Sequence, residues 1–133
     1  MTTQRTGGDK PDAWLGDIPI YKSRNIVNAS TLWTEAEFQE TVIEMARALG
    51  WRVHAERPAS SKGKWSTPIQ GDPGYPDLCL VRDGHLVYIE CKSQRGILSQ
   101  AQGDWLADLA QIPGVTALML RPSDMERIKE LLQ

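Results

Sequence analysis

Apolar residues first take on a regular spacing at Phe38, Val42, Met45, Ala46 and Leu49. Steps of three and four lay them in one stripe along a helix. Thr34-Glu35-Ala36-Glu37 just ahead is a capping box, in which the Thr34 hydroxyl and the Glu37 carboxylate satisfy the first orphan amides. A helix is therefore predicted from Thr34 to a stop at Gly50. The period then switches to two. Trp51, Val53 and Ala55 alternate with Arg52, His54 and Glu56 in a strand that runs to Arg57. Residues 58–74 are rich in Ser, Gly, Pro and Lys and read as one long loop. Two apolar runs, Leu78–Val81 and Leu86–Lys92, flank Arg82-Asp83-Gly84-His85, and the Asp-Gly pair predicts an antiparallel hairpin. A second capping box, Ser99 to Gln102, opens a helix that turns Trp105, Leu106 and Leu109 inward and ends near Pro113-Gly114. Val115–Leu120 is a buried strand. Pro122 and a capping box from Ser123 to Glu126 start a short last helix carrying Ile128, Leu131 and Leu132. Residues 1–33 scatter Trp14, Ile18, Ile20 and Tyr21 among Gly and Pro without a period, and read as an irregular arm before an α/β domain at 34–133.

The chain has 133 residues, 41% of them hydrophobic, enough for one compact domain and too few for a two-domain enzyme. A domain of this size buries about 68% of the surface its unfolded chain exposes, so it needs no disulfide or structural metal to fold. Its two cysteines, Cys79 and Cys91, lie in apolar β-prone runs and read as small buried thiols, which suits a reducing cytosol. No stretch approaches the roughly 18 apolar residues of a membrane span, so a soluble, cytoplasmic protein is expected. The net charge of -2 gives no whole-molecule attraction for a polyanion. Only residues 51–100 are basic, with seven Lys and Arg against five Asp and Glu, so any nucleic-acid contact must be local.

Three charges sit where apolar strands rarely tolerate them. Asp77 opens the first strand of the hairpin, and Glu90 and Lys92 end the second, sharing one face while Cys91 points to the other. With Asp83 and Gly84 at the turn, Asp77 pairs across from the Glu90–Lys92 end. Two carboxylates this close resist joint ionisation unless a cation lies between them, and all-oxygen ligation suits Mg²⁺ or Mn²⁺. An adjacent lysine can orient or deprotonate a water and neutralise charge on a phosphate under attack, which is equipment for phosphodiester hydrolysis. A structural ion pair of Lys92 with Glu90 or Asp77 on a solvated strand end is the competing account.

Gly74-Tyr75-Pro76-Asp77, the hairpin and Glu90-Cys91-Lys92, between a Glu-bearing helix and a following helix and strand, resemble the PD-(D/E)XK nuclease superfamily. Within it the chain is similar to the small stand-alone VRR-NUC domain proteins of phages and bacteria. The narrower likeness rests on Thr34-Glu35-x-x-Phe38-Gln39, Leu49-Gly50-Trp51, Arg57-Pro58 and Gly-x-Pro-Asp77. It continues through Glu90-x-Lys92-Ser93, Leu98-Ser99-x-x-Gln102 and Arg121-Pro122-Ser123-Asp124, covering residues 34 to 133. The resemblance implies a restriction-endonuclease-like αβββαβ core with a short C-terminal helix, and a Mg²⁺-dependent DNA endonuclease in which Mn²⁺ substitutes. It implies that Asp77, Glu90 and the carbonyl of Cys91 bind the metal, that Lys92 assists the attacking water, and that products carry a 5′-phosphate and a 3′-hydroxyl. It further implies a structure-specific nuclease in a bacterial or phage-infected cell, with the four-way (Holliday) junction as the first substrate to test. One domain has one site, so symmetric cutting of two strands calls for a homodimer.

The family pattern also implies a glutamate from the first helix, and the helical wheel selects it. With Phe38 at zero and about 100° per residue, the apolar stripe runs from roughly -20° to 80°. Glu35 falls near 60°, whereas Glu37, Glu40 and Glu44 fall near 200° to 260° on the same scale. Only Glu35 faces the sheet, although a first-turn acid complementing the helix dipole would stand there too. Gln102 has a capping-box role yet lies on the side of Trp105, Leu106 and Leu109, and the resemblance favours a place in the site. Gln39 reads equally as a supporting residue or a satisfied buried amide. In the long loop, Lys62, Lys64 and Trp65, with Arg57 at its root, suit backbone phosphates and a base to stack on, or are simply a soluble loop with one packed Trp. Arg95 could reach a phosphate near the metal, and His54 reads as a strand surface residue. Two rivals remain: a non-catalytic nucleic-acid-binding module, which would gain nothing from facing carboxylates, and a protein-interaction domain indifferent to metal.

Overall fold

A computed structural model of the chain describes residues 32–56 and 69–133, and the backbone of four three-residue strands at 13–15, 18–20, 59–61 and 64–66. In chain order the elements are β1 (Ala13–Leu15), β2 (Ile18–Ile20), α1 (Glu35–Ala48), β3 (Arg52–Ala55), β4 (Ala59–Ser61), β5 (Lys64–Ser66), β6 (Leu78–Arg82) and β7 (His85–Cys91). Then come α2 (Gln100–Ala110), β8 (Val115–Leu120), a 3₁₀ turn at Pro122–Asp124 and α3 (Met125–Leu132). Four strands form one mixed sheet in the order β3-β6-β7-β8. The first two pairings are antiparallel and β7–β8 is parallel, with α2 as the crossover that a parallel pair requires.

Alternation along the strands sends Leu78, Leu80, Val87, Ile89, Cys91 and Leu120 to one face. There they bury Phe38, Val42 and Ala46 of α1 and Ile128 and Leu132 of α3. Burial of such a side chain contributes about 1.5–3 kcal/mol, so this layer dominates the fold. The other face meets α2, where Trp105 stands edge-on to Tyr75 and Tyr75 edge-on to Tyr88. The predicted caps form on both long helices. Thr34 Oγ1 accepts from Glu37 N at 3.1 Å and Ser99 Oγ from Gln102 N at 3.1 Å, each answered by the third residue's side chain. Among the described residues no helix is long and apolar enough to cross a membrane.

Four details differ from the sequence reading. Leu49 leaves the apolar stripe, because it is the C-cap of α1 and its backbone no longer follows the helix. An antiparallel pair, β1–β2, lies inside the stretch read as an irregular arm, with Leu15 paired to Ile18. A second pair, β4–β5, lies inside the stretch read as a loop. Its Ser-rich strands have no apolar alternation, so a pattern of side chains does not reveal a pairing made by the backbone. The Ser123–Glu126 capping box does not form. Asp124 Oδ2 instead accepts from Arg121 N at 2.7 Å, Pro122 to Asp124 make a 3₁₀ turn, and Glu126 pairs with Lys129 at 3.2 Å.

Candidate functional site

The β6–β7 register pairs Leu78 with Ile89, which sets Asp77 across from Glu90. Each carboxylate is aimed by the other strand's end. Asp77 N donates to Glu90 Oε2 at 3.2 Å, and Cys91 N donates to Asp77 Oδ2 at 2.9 Å. The turn between them is tight because Asp83 and Gly84 both take positive φ, 48° and 77°. Upstream, Gly74 has φ +96° and lies so close to α2 that a Cβ there would be 2.5 Å from the carbonyl carbon of Ala101 and 2.7 Å from the nitrogen of Gln102. Only glycine lets the Gly-Tyr-Pro-Asp segment lie against the first turn of α2.

That first turn supplies Gln102, whose two roles prove compatible. Its Oε1 accepts from Ser99 N at 3.0 Å while its Nε2 donates to Glu90 Oε1 at 2.8 Å. Glu35, the first residue of α1, completes the group from the opposite side. One carboxylate oxygen from each of Glu35, Asp77 and Glu90 lies within 4.8 Å of the others. Lys92 Nζ is 3.6 Å from Glu90 Oε1 and 4.0 Å from Glu35 Oε2. The Glu90 side chain is 1% exposed and that of Lys92 10%, so the solvated-strand-end account fails, while Glu35 at 45% opens the cluster to solvent.

A lone ion pair would balance one carboxylate against one ammonium. Here three carboxylates face one ammonium, and one of the three, Glu90, is held away from water. Burial, then the charge of Asp77, pushes Glu90 from its ordinary 4.5 up to about 8 against the pull of Lys92. Burial also raises Asp77, although the Cys91 amide, Glu90 and Lys92 lower it, and burial raises Glu35. Hard oxygen donors at this spacing, too crowded to ionise together without a cation, fit a small divalent ion such as Mg²⁺ or Mn²⁺. The amino ends of α1 and α2 both open at the cluster, and their dipoles favour negative charge there.

The remaining candidates divide. Cys91 buries its side chain in the core, where burial pushes the thiol up, and presents only its backbone to the carboxylates. Arg95 lies exposed in the turn after Lys92. His54 is a surface residue, 4.0 Å from Glu56. Gln39 is half-buried on α1. Arg57 and Lys62 lie outside the described residues, and Lys64 and Trp65 fall in β5, of which only the backbone is described. Sequence reasoning missed Tyr75, whose ring packs between Tyr88 and Trp105 and steadies the segment leading to Asp77. The aromatic inside Gly-Tyr-Pro-Asp was the available signal. Comparison with protein-family models, with curated proteins and with solved structures finds no match to this chain.

Proposed function

We propose that this chain is a divalent-metal-dependent DNA endonuclease of the PD-(D/E)XK type, related to the VRR-NUC proteins and directed at branched DNA. The observation that carries the reading is the convergence of Glu35 from α1 with Asp77 and the buried Glu90 beside Lys92 at the hairpin end. Apart from the separate β4–β5 pair, the element order from α1 to β8 and the sheet order β3-β6-β7-β8 are compatible with a restriction-endonuclease-like core, and the resemblance of the motifs supplies the narrower family. Glu35, Asp77 and Glu90, with the Cys91 carbonyl, would hold Mg²⁺ or Mn²⁺, which when bound supplies Lewis-acid activation of water and of the scissile phosphate.

The chain's own groups do the rest. Gln102 and the Asp77 amide fix the two oxygens of Glu90, so its carboxylate cannot rotate as charge changes around it. Lys92, confined among carboxylates, keeps Nζ beside Glu90 and Glu35, where it can hydrogen-bond a phosphate oxygen or orient the attacking water. The helix ends favour the added negative charge of a phosphate. A binding module without catalysis would not bury carboxylates against a polyanion, because they repel it unless a cation intervenes.

The test is cleavage of a labelled panel of four-way junction, flap, nicked duplex, linear duplex and single strand, with Mg²⁺, Mn²⁺ or EDTA, beside Asp77→Ala. Paired cuts confined to the junction, abolished by EDTA and by the variant, are expected. Cutting spread over flaps or duplexes would keep the chemistry and discard the junction. The absence of any metal-dependent product would discard the nuclease.

A further inference from the structure

We propose that Arg121 is a positioning residue for Lys92, acting through the loop that follows it; the proposal rests on the nuclease reading above. Arg121 stands at the end of β8, beside the end of β7, where Lys92 N donates to Leu120 O at 3.0 Å as the last link between the two strands. Beyond that link the chain turns through residues 93–98 toward α2 with no strand to hold it. Arg121 holds it instead. Its Nη1 lies 2.6 Å from Gly96 O, 2.8 Å from Ser93 O and 3.3 Å from Gln94 O, so one guanidinium nitrogen gathers three carbonyls of the turn. Arg121 is itself pinned, its own amide donating to Asp124 Oδ2 at 2.7 Å. A second fastening joins the same segments: Gln94 Nε2 donates to Ser123 Oγ at 2.9 Å, and Ser123 N donates to Gln94 Oε1 at 3.1 Å.

The clamp reaches Lys92 through Gly96. A Cβ on Gly96 would sit 3.4 Å from Lys92 Cδ and 3.1 Å from Ser93 Oγ, so the turn folds back onto the stem of the lysine. A lysine stem is otherwise among the freest of side chains, with about 2 kcal/mol of rotamer entropy. Walled by Gly96, its ammonium stays beside Glu90 and Glu35. A guanidinium suits the task because each terminal nitrogen carries two N–H donors on a planar group that accepts nothing, so one nitrogen can serve more than one carbonyl. Among the described residues the Arg121 side chain bonds to carbonyls and to no carboxylate, and those carbonyls all belong to this turn.

The test compares Arg121→Lys and Arg121→Met with the wild-type chain in Mg²⁺-dependent cleavage, with Mg²⁺ affinity measured in parallel by calorimetry. Arg121→Met is expected to lower kcat by about 10- to 100-fold, the usual loss for a group that orients an active-site residue. KM and Mg²⁺ affinity should stay within about twofold, since Asp77, Glu90 and Glu35 are untouched, and Arg121→Lys should recover part of the rate. Amides of residues 94–98 should exchange faster in both variants. Wild-type kcat in folded Arg121→Met, or a change confined to KM, would overturn the proposal. Should Arg121→Met not fold, Gln94→Ala decides, because it loosens the same turn from its exposed side; an unchanged kcat there would sink the idea. A wild-type chain that cuts none of the DNAs would overturn the nuclease reading itself, an outcome distinct from active enzymes that differ in no way.

Discussion

Glu90 concentrates the physical tension of the molecule, since it is buried, faces Asp77 and titrates near 8 in place of 4.5. A carboxyl whose folded value is raised contributes stability fully present below its unfolded value. That stability is lost as pH rises through the folded value. Metal-free protein should therefore lose thermal stability between about pH 4.5 and pH 8, and Glu90→Gln should flatten the slope in a thermal melt across that range. Because a cation takes the place of the proton, Mg²⁺ or Mn²⁺ should raise the melting temperature more at pH 8 than at pH 5. Lys92→Met removes the ammonium and keeps the stem. It should lower the cleavage rate by about 10²- to 10⁴-fold while calorimetry still finds the ion bound. Strand alternation and the Asp-Gly turn were enough to bring Asp77, Glu90 and Lys92 together from the sequence, whereas the family resemblance called for a glutamate from the first helix, which the helical wheel narrowed to Glu35, and favoured Gln102. Arg121 was not legible. Its partners are carbonyls of an irregular turn, and no residue pattern encodes where a carbonyl will point.

Among the elements, the segment before β6 is held by a backbone fit. Gly71 and Gly74 both take positive φ, but nothing lies within 4 Å of a Cβ on Gly71, whereas one on Gly74 would strike the backbone of α2. Gly71→Ala should cost about 1–2 kcal/mol from left-handed strain alone. Gly74→Ala should cost clearly more in urea denaturation and should also impair cleavage, since the displaced segment leads into Asp77, which faces Glu90. The helices and the β6–β7 hairpin were readable, as capping boxes and an Asp-Gly turn are local signals. The β1–β2 pair had one as well, Gly16-Asp17 between Leu15 and Ile18 in the sequence, obscured by the Gly and Pro around it. The β4–β5 pair had none. The start of α3 went the other way, with Pro122 tightening the chain into a 3₁₀ turn where side-chain spacing alone suggested a cap at Ser123.

For the molecule as a whole, the described residues of one chain hold one such carboxylate cluster. A junction cut symmetrically on two strands takes two such clusters, so the active species on branched DNA should have twice the 14.9 kDa of the chain. Sedimentation of the protein alone and with a four-way junction checks this, and a monomer on the junction would reject it. The run of helix, three strands, helix, strand and helix that makes the main sheet and its cover was readable because alternation and helical spacing mark those elements, whereas the strand order was not. The site's assembly from both helix starts was not readable either, since it depends on how far each helix slides along the sheet. The tight turn at Asp83-Gly84 bears on how the chain reaches this state. Asp77 and Glu90 are only 13 positions apart and share a hairpin, whereas Glu35 arrives from a separate helix. Hairpins close in microseconds, so the two carboxylates are expected to meet before the rest of the site forms around them. Their repulsion then belongs to the folding barrier: refolding of the metal-free chain should be slower at pH 8 than at pH 5, and Asp77→Asn should remove most of that difference in stopped-flow.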